Sequence, residues 1–136
     1  MNYTKLTKEE FEDKLYKKFQ GFIELDKYGI ETKSGWYNII WKLTEDLTNY
    51  TSENGICFTI KQIKQKFGGL RYYISSCGDN VLYEIIHKAE LQSFSICEIC
   101  GEIGQTNSEQ LFVQTLCPKH VTERNNRYTN KRNSAA

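Results

Sequence analysis

The chain has 136 residues, with 18 Lys+Arg against 17 Asp+Glu, five Cys, two His and one Pro. That length fits one compact domain with a small appendage, and a 39% hydrophobic share that includes seven Phe and nine Tyr excludes a wholly disordered chain. No apolar run approaches the ~18 residues of a membrane span, and the polar first ten residues lack the apolar segment of a secretory signal. A reducing, cytoplasmic setting is therefore expected, where five Cys point to metal binding rather than disulfides.

In chain order, Thr7-Lys8-Glu9-Glu10 has the form of a capping box. Phe11, Leu15 and Phe19 then recur on one face of a first helix, which Gly21 can end. A second helix is expected from about Ser34, with Trp36, Ile39, Ile40, Leu43, Leu47 and Tyr50 on its apolar face and Asn54-Gly55 as a turn. From Ile56 the period changes to two. Ile56, Phe58 and Ile60 alternate with Cys57, Thr59 and Lys61, and Leu70, Tyr72 and Ile74 alternate with Arg71 and Tyr73. Centred on Phe67-Gly68, these runs predict an antiparallel hairpin with Cys57 close to Cys77 or Gly78. Asp79 or Asn80 can cap a third helix with Val81, Leu82, Ile85, Ile86 and Ala89 on one face, running to about Ser93. Further short strands can lie within 22–33. The fold class is α+β, with helices covering the apolar face of the hairpin.

The near-zero net charge hides segregation. Residues 61–76 hold Lys61, Lys64, Lys66 and Arg71 with no acid, and residues 117–136 hold five basic groups against Glu123. The stretch between them, 77–116, carries six acids and one Lys. Polyanion binding and a merely solvated surface both fit this pattern.

The strongest chemical signal is Cys97-Glu98-Ile99-Cys100-Gly101 followed by Cys117-Pro118-Lys119-His120. Two correctly spaced pairs of thiolate and imidazole donors suit tetrahedral zinc, one ion per chain, with Cys97, Cys100, Cys117 and His120 as ligands. Gly101 suits the tight turn, and Pro118 suits the first position of a helix carrying His120. Leu111, Val113 and Thr115 alternate ahead of it, so a small hairpin is expected there. Knuckle, hairpin and helix together resemble a treble-clef zinc fold. The resulting division is an α+β body (1–96), a zinc knuckle packed on it (97–122) and a flexible basic tail (123–136). Four protein ligands close the coordination shell, which is the mark of structural rather than catalytic zinc. Outside that shell only His87 remains as a histidine, and a partly exposed surface role is expected for it. No recognised nucleophile or phosphate-loop motif is present. The reading leans against an enzyme and assigns no catalytic residue. Cys57 and Cys77 read as small hydrophobes, with a second metal site or a redox pair as the alternative.

Lys66-Phe67-Gly68-Gly69-Leu70-Arg71-Tyr72-Tyr73 is the other unusual stretch. Its Lys66, Arg71 and Tyr73, with the Gly68-Gly69 backbone, form a candidate anion and base site, against the plainer reading of a tight turn with a polar outer face. KQKFGGLRYYI, Ala89-Glu90, CEICG and TLCPKH together resemble a family of small uncharacterised bacteriophage and prophage proteins over about residues 36–121. The resemblance implies the cytoplasm of a bacterial host and an accessory protein acting by binding. A host protein, a nucleic acid or a nucleotide ligand are the partners it leaves open. Capture of a nucleotide immune signal is the alternative function, a nuclease a lesser one. No membrane is implied, and homo-oligomerisation is open.

Overall fold

The capping box forms as the sequence requires. Thr7 Oγ1 accepts from the Glu10 N–H, and the Glu10 carboxylate accepts from the Thr7 N–H, starting α1 (Lys8–Lys18). The structure is a computed structural model that describes residues 2–76, 78–107 and 113–135, with side chains through 127. Phe11 and Leu15 bury the inner face of α1, and Phe19 caps its end. The chain then runs through a short strand, β1 (Ile30–Glu31), and a 3-10 turn (Ser34–Trp36) into α2 (Tyr37–Asn54), which Gly55 ends in the left-handed region at φ 64°.

The expected hairpin is β2 (Phe58–Lys66) and β3 (Gly69–Ser76), joined by Phe67-Gly68. Both turn residues have positive φ, 52° and 84°. That is the backbone of a two-residue primed turn, in which Asn or Gly normally stands first. Here the first position is Phe67, 69% exposed. β1 adds to β2 in parallel, Ile30 opposite Ile63, so the sheet is mixed in the order β1-β2-β3. Strict alternation along β2 is broken by a bulge between Ile60 and Gln62, which the period-two reading did not anticipate. The extra residue resets the side-chain parity, so Ile60 and Ile63 both face the core. Phe58 lies opposite Ser76, and the expected closeness of Cys57 to Cys77 lies outside the described residues.

α3 (Asn80–Ser93) starts with Asp79 accepting from the Val81 N–H. Leu82 and Ile86 are buried, Ile85 and Ala89 pack at the margin, and Val81 is exposed. This helix also covers the open edge of β3. Ser93 Oγ accepts from the Leu70 N–H at 2.9 Å, and the Glu90 carboxylate accepts from the Tyr72 N–H at 3.0 Å. Those two side chains satisfy strand N–H groups that would otherwise invite a foreign strand. The core lies between the sheet and the helices, with Trp36, Ile40, Leu43, Leu47, Ile60 and Leu70 fully or almost fully enclosed.

After α3 come a short antiparallel pair, β4 (Gln105–Asn107) and β5 (Gln114–Leu116), and α4 (Pro118–Ala135). The small hairpin is as expected, with Leu111 outside the described residues. The basic segment 123–136 is described through residue 135. Its backbone is helical through Ala135, where the polar composition suggests a flexible tail. Propagating a helix is easy once its first turn is held, and the knuckle holds that turn. Among the described residues no helix is long and apolar enough to cross a membrane.

Candidate metal centre

Cys97 and Cys100 sit on a tight loop closed by the Gly101 N–H donating to the Cys97 carbonyl at 2.9 Å. Gly101 has φ 85°, and a Cβ there would meet Thr4 Cγ2 at 2.9 Å, so both conformation and space require glycine. Cys117 precedes Pro118, the first residue of α4, and His120 follows in the first turn. The ligand atoms of Cys97, Cys100, Cys117 and His120 all lie within 4.8 Å of one another. Cys100 Sγ is 3.6 Å from Cys117 Sγ, and His120 Nδ1 is 3.5 Å from Cys97 Sγ and 3.1 Å from Cys117 Sγ. With metal–sulfur bonds of 2.3 Å and metal–nitrogen bonds of 2.0–2.1 Å, tetrahedral edges come to about 3.8 Å and about 3.6 Å. The cluster therefore fits a single metal ion, and its three cysteines form no disulfide.

The thiols are unequal. Burial would raise the Cys117 thiol, but the His120 N–H, and hydrogen bonds with Cys100, His120 and Cys97, bring it down to about 7. Cys100 goes up to about 11, first because of burial, against which the Glu102 N–H works and to which its sulfur neighbours add. One thiolate is thus already favoured at the start of α4, where unpaired helix N–H groups stabilise negative charge.

Two residues beyond the four donors belong to this neighbourhood, and the motif pattern alone does not reveal them. Glu123 lies with Oε2 3.8 Å from His120 Nε2, on the ring side away from the sulfurs. That places a carboxylate where one commonly orients a metal-bound imidazole, here at electrostatic rather than hydrogen-bond distance. Arg124 is one turn beyond His120 and only 3% exposed. Its Nη1 donates to Gln114 Oε1 at 2.9 Å, while Nε and Nη2 find no partner among the described residues. The i+3 and i+4 spacings from His120 were the available signals.

The segment at 96–98 is joined to the loop before α2 by three hydrogen bonds. The Gly35 N–H donates to the Glu98 carbonyl at 2.6 Å, Trp36 Nε1 to the Ile96 carbonyl at 2.8 Å and the Lys33 N–H to Glu98 Oε2 at 3.1 Å. Glu98, a mere spacer in the CxxC pattern, is buried, and that burial raises its carboxyl above the ordinary range while the Lys33 N–H lowers it. A second joint meets the large hairpin. Thr115 Oγ1 donates to the Gly68 carbonyl at 2.6 Å and Gln65 Nε2 to the Val113 carbonyl at 3.2 Å.

That joint bears on the candidate anion site. Gly68 and Gly69 are buried there, and a Cβ on Gly69 would lie 2.3 Å from the Phe94 ring. Lys66 is exposed beside the Phe67 ring, and Tyr73 is exposed on the outer sheet face. Arg71 is half-buried and lies 3.8 Å from the Glu90 carboxylate. Lys64 stands between Arg71 and Glu31 in the strand register, and Lys61 pairs with Glu24. Acids from other elements thus offset most of the basic run at 61–76. His87 is exposed on α3 and Cys57 is exposed before β2. Comparison with protein-family models, with curated proteins and with solved structures gives no match.

Proposed function

We propose that this is a zinc-stabilised binding protein without chemistry of its own. The observation that carries the reading is the convergence of four protein donors at tetrahedral spacing, since four protein ligands leave no position for a substrate water. Cys97, Cys100, Cys117 and His120 would hold one Zn2+, whose contribution is to fix the knuckle. Zinc with three thiolates and a neutral imidazole carries one net negative charge, and α4 carries the buried Arg124 one turn beyond His120. A soft donor set of this kind favours zinc over harder ions such as magnesium or calcium.

The motif resemblance supports a phage accessory protein at work in a bacterial cytoplasm, acting on a host protein or a nucleic acid. Elemental analysis of purified protein should find about one zinc per chain, and Cys97→Ser should abolish it. A metal-free protein with the knuckle still folded overturns the reading. Binding to single-stranded nucleic acid, if that is the target, should fall steeply as salt rises. A flat salt response assigns the target to protein.

A further inference from the structure

A hollow of about 400 Å³ lies between the N-terminal segment, α1 and α2, lined by Tyr3, Lys14, Lys17, Lys18 and Trp41. No residue of the knuckle lines it. Tyr3 is stacked on Trp41 with ring centroids 4.4 Å apart and planes 19° apart, and both rings are half-buried. The indole N–H of a packed Trp usually finds an acceptor. Trp36 has one, whereas Trp41 has none among the described residues.

The lysines around this aromatic pair are unusual for α1. Lys17, which also lines the hollow, lies 2.9 Å from Asp13, and Lys8, outside it, lies 4.0 Å from Glu12. Lys14 and Lys18 are one turn apart on the same side, a like-charge arrangement that costs a helix a few tenths of a kcal/mol. Neither has an acidic partner at ion-pair distance among the described residues. Glu10, one turn before Lys14, has its carboxylate on the Thr7 N–H. Lys14 acts on Glu10 only through space, and Lys18 has no ion pair among the described residues, so two ammonium groups beside an aromatic pair suit a ring that carries several negative charges.

We propose that this hollow binds a phosphorylated aromatic compound of nucleotide type, its base against the Tyr3–Trp41 pair and its phosphates on Lys14 and Lys18. The site gives the binding protein a small-molecule ligand at a place other than the KFGGLRYY hairpin. It does not depend on the metal.

Trp36 is fully buried, so Trp41 fluorescence serves as the reporter. ADP should bind zinc-loaded protein saturably at one per chain, read by quenching and by titration calorimetry. Adenosine and inorganic pyrophosphate should each bind at least tenfold more weakly than ADP. The double variant Lys14→Ala/Lys18→Ala changes exposed residues only and should lose at least tenfold in ADP affinity. Lys27→Ala, outside the hollow, should stay within twofold. Trp41→Leu should lose binding with an unchanged circular-dichroism spectrum, and if it misfolds the lysine pair still decides. The proposal is overturned by no saturable ADP binding up to millimolar concentration, by undiminished binding in the double variant, or by pyrophosphate equalling ADP. Tight, length-dependent binding of single-stranded oligonucleotide without ADP binding also overturns it, in favour of a nucleic-acid surface. Failure in a sample with one zinc per chain leaves the metal reading standing.

Discussion

The body and the knuckle are built on different principles, although they share one chain. Between α1 and α3 the body encloses a continuous set of apolar side chains, from Phe11 and Leu15 through Trp36, Leu43 and Leu47 to Ile60, Leu70 and Leu82. Among the described residues, the apolar cluster of the knuckle is Cys97, Leu116 and Cys117, with Ile99, Cys100 and Val121 at its margin. At roughly 1.5–3 kcal/mol for each large apolar side chain buried, the first set can order its own backbone and the second cannot. The difference teaches where a cross-link is needed: the part with too small a core is the part with four metal donors.

The largest test of that contrast is metal removal. Structural zinc supplies apparent binding free energy on the order of 10 kcal/mol. A strong chelator, or Cys117→Ser, should therefore melt the knuckle and α4 while the core around Trp36 stays packed. Helix content should drop and Trp36 emission, read in a Trp41→Phe background, should stay blue. Simultaneous loss of both signals would mean that the body depends on the metal as well.

The joint comes next. A Cβ on Gly35 would lie 2.1 Å from the Cys97 carbonyl oxygen and 2.4 Å from that of Glu98, backbone atoms that cannot swing aside. Gly35→Ala should cost about 4 kcal/mol and weaken zinc retention from a position that touches no ligand side chain. Unchanged zinc off-rates would show that the knuckle forms without its seat.

Leu43→Ala acts on the other region. It should cost about 3 kcal/mol in denaturant unfolding and leave zinc stoichiometry untouched. The smallest effect is at Tyr72, whose buried hydroxyl shares a 2.8 Å hydrogen bond with Thr44 Oγ1. Tyr72→Phe should cost about 1 kcal/mol at neutral pH. Burial raises the Tyr72 phenol well above its usual value, more than the Thr44 bond lowers it. The unfolded chain therefore loses this proton first, and stability should fall as pH rises beyond about 10. Tyr72→Phe should flatten that alkaline decline, and an identical decline in both proteins would assign it to other tyrosines.

Much of this was legible because the decisive signals are local. The capping box at Thr7, the 3.6-residue pattern of Ile39, Ile40, Leu43 and Leu47, the Phe67-Gly68 turn and the two donor pairs each need only a few neighbouring residues. What escaped is non-local. Glu98 reads as filler until the loop at Lys33–Trp36 is laid against it. The bulge after Ile60 depends on what the core has room for. Gly68 and Gly69 read as an open cradle, yet Thr115 and Phe94 close over them from more than twenty residues away. Acids distant in sequence, Glu24, Glu31 and Glu90, offset a basic run that is unopposed on paper. The helical course of α4 was hidden by a composition that gives it no apolar face beyond its first turns.

α4 has 18 residues and so is about 27 Å long. Its first turn carries His120 and follows Cys117 directly. A helix clamped at one end is a pointer, and a tilt of about 10° at the cluster displaces its far end by about 5 Å. A metal held by the four donors would therefore set a direction in space as well as a local fold, and a distorted coordination shell would be read out at Ala135 before it was felt at Trp36.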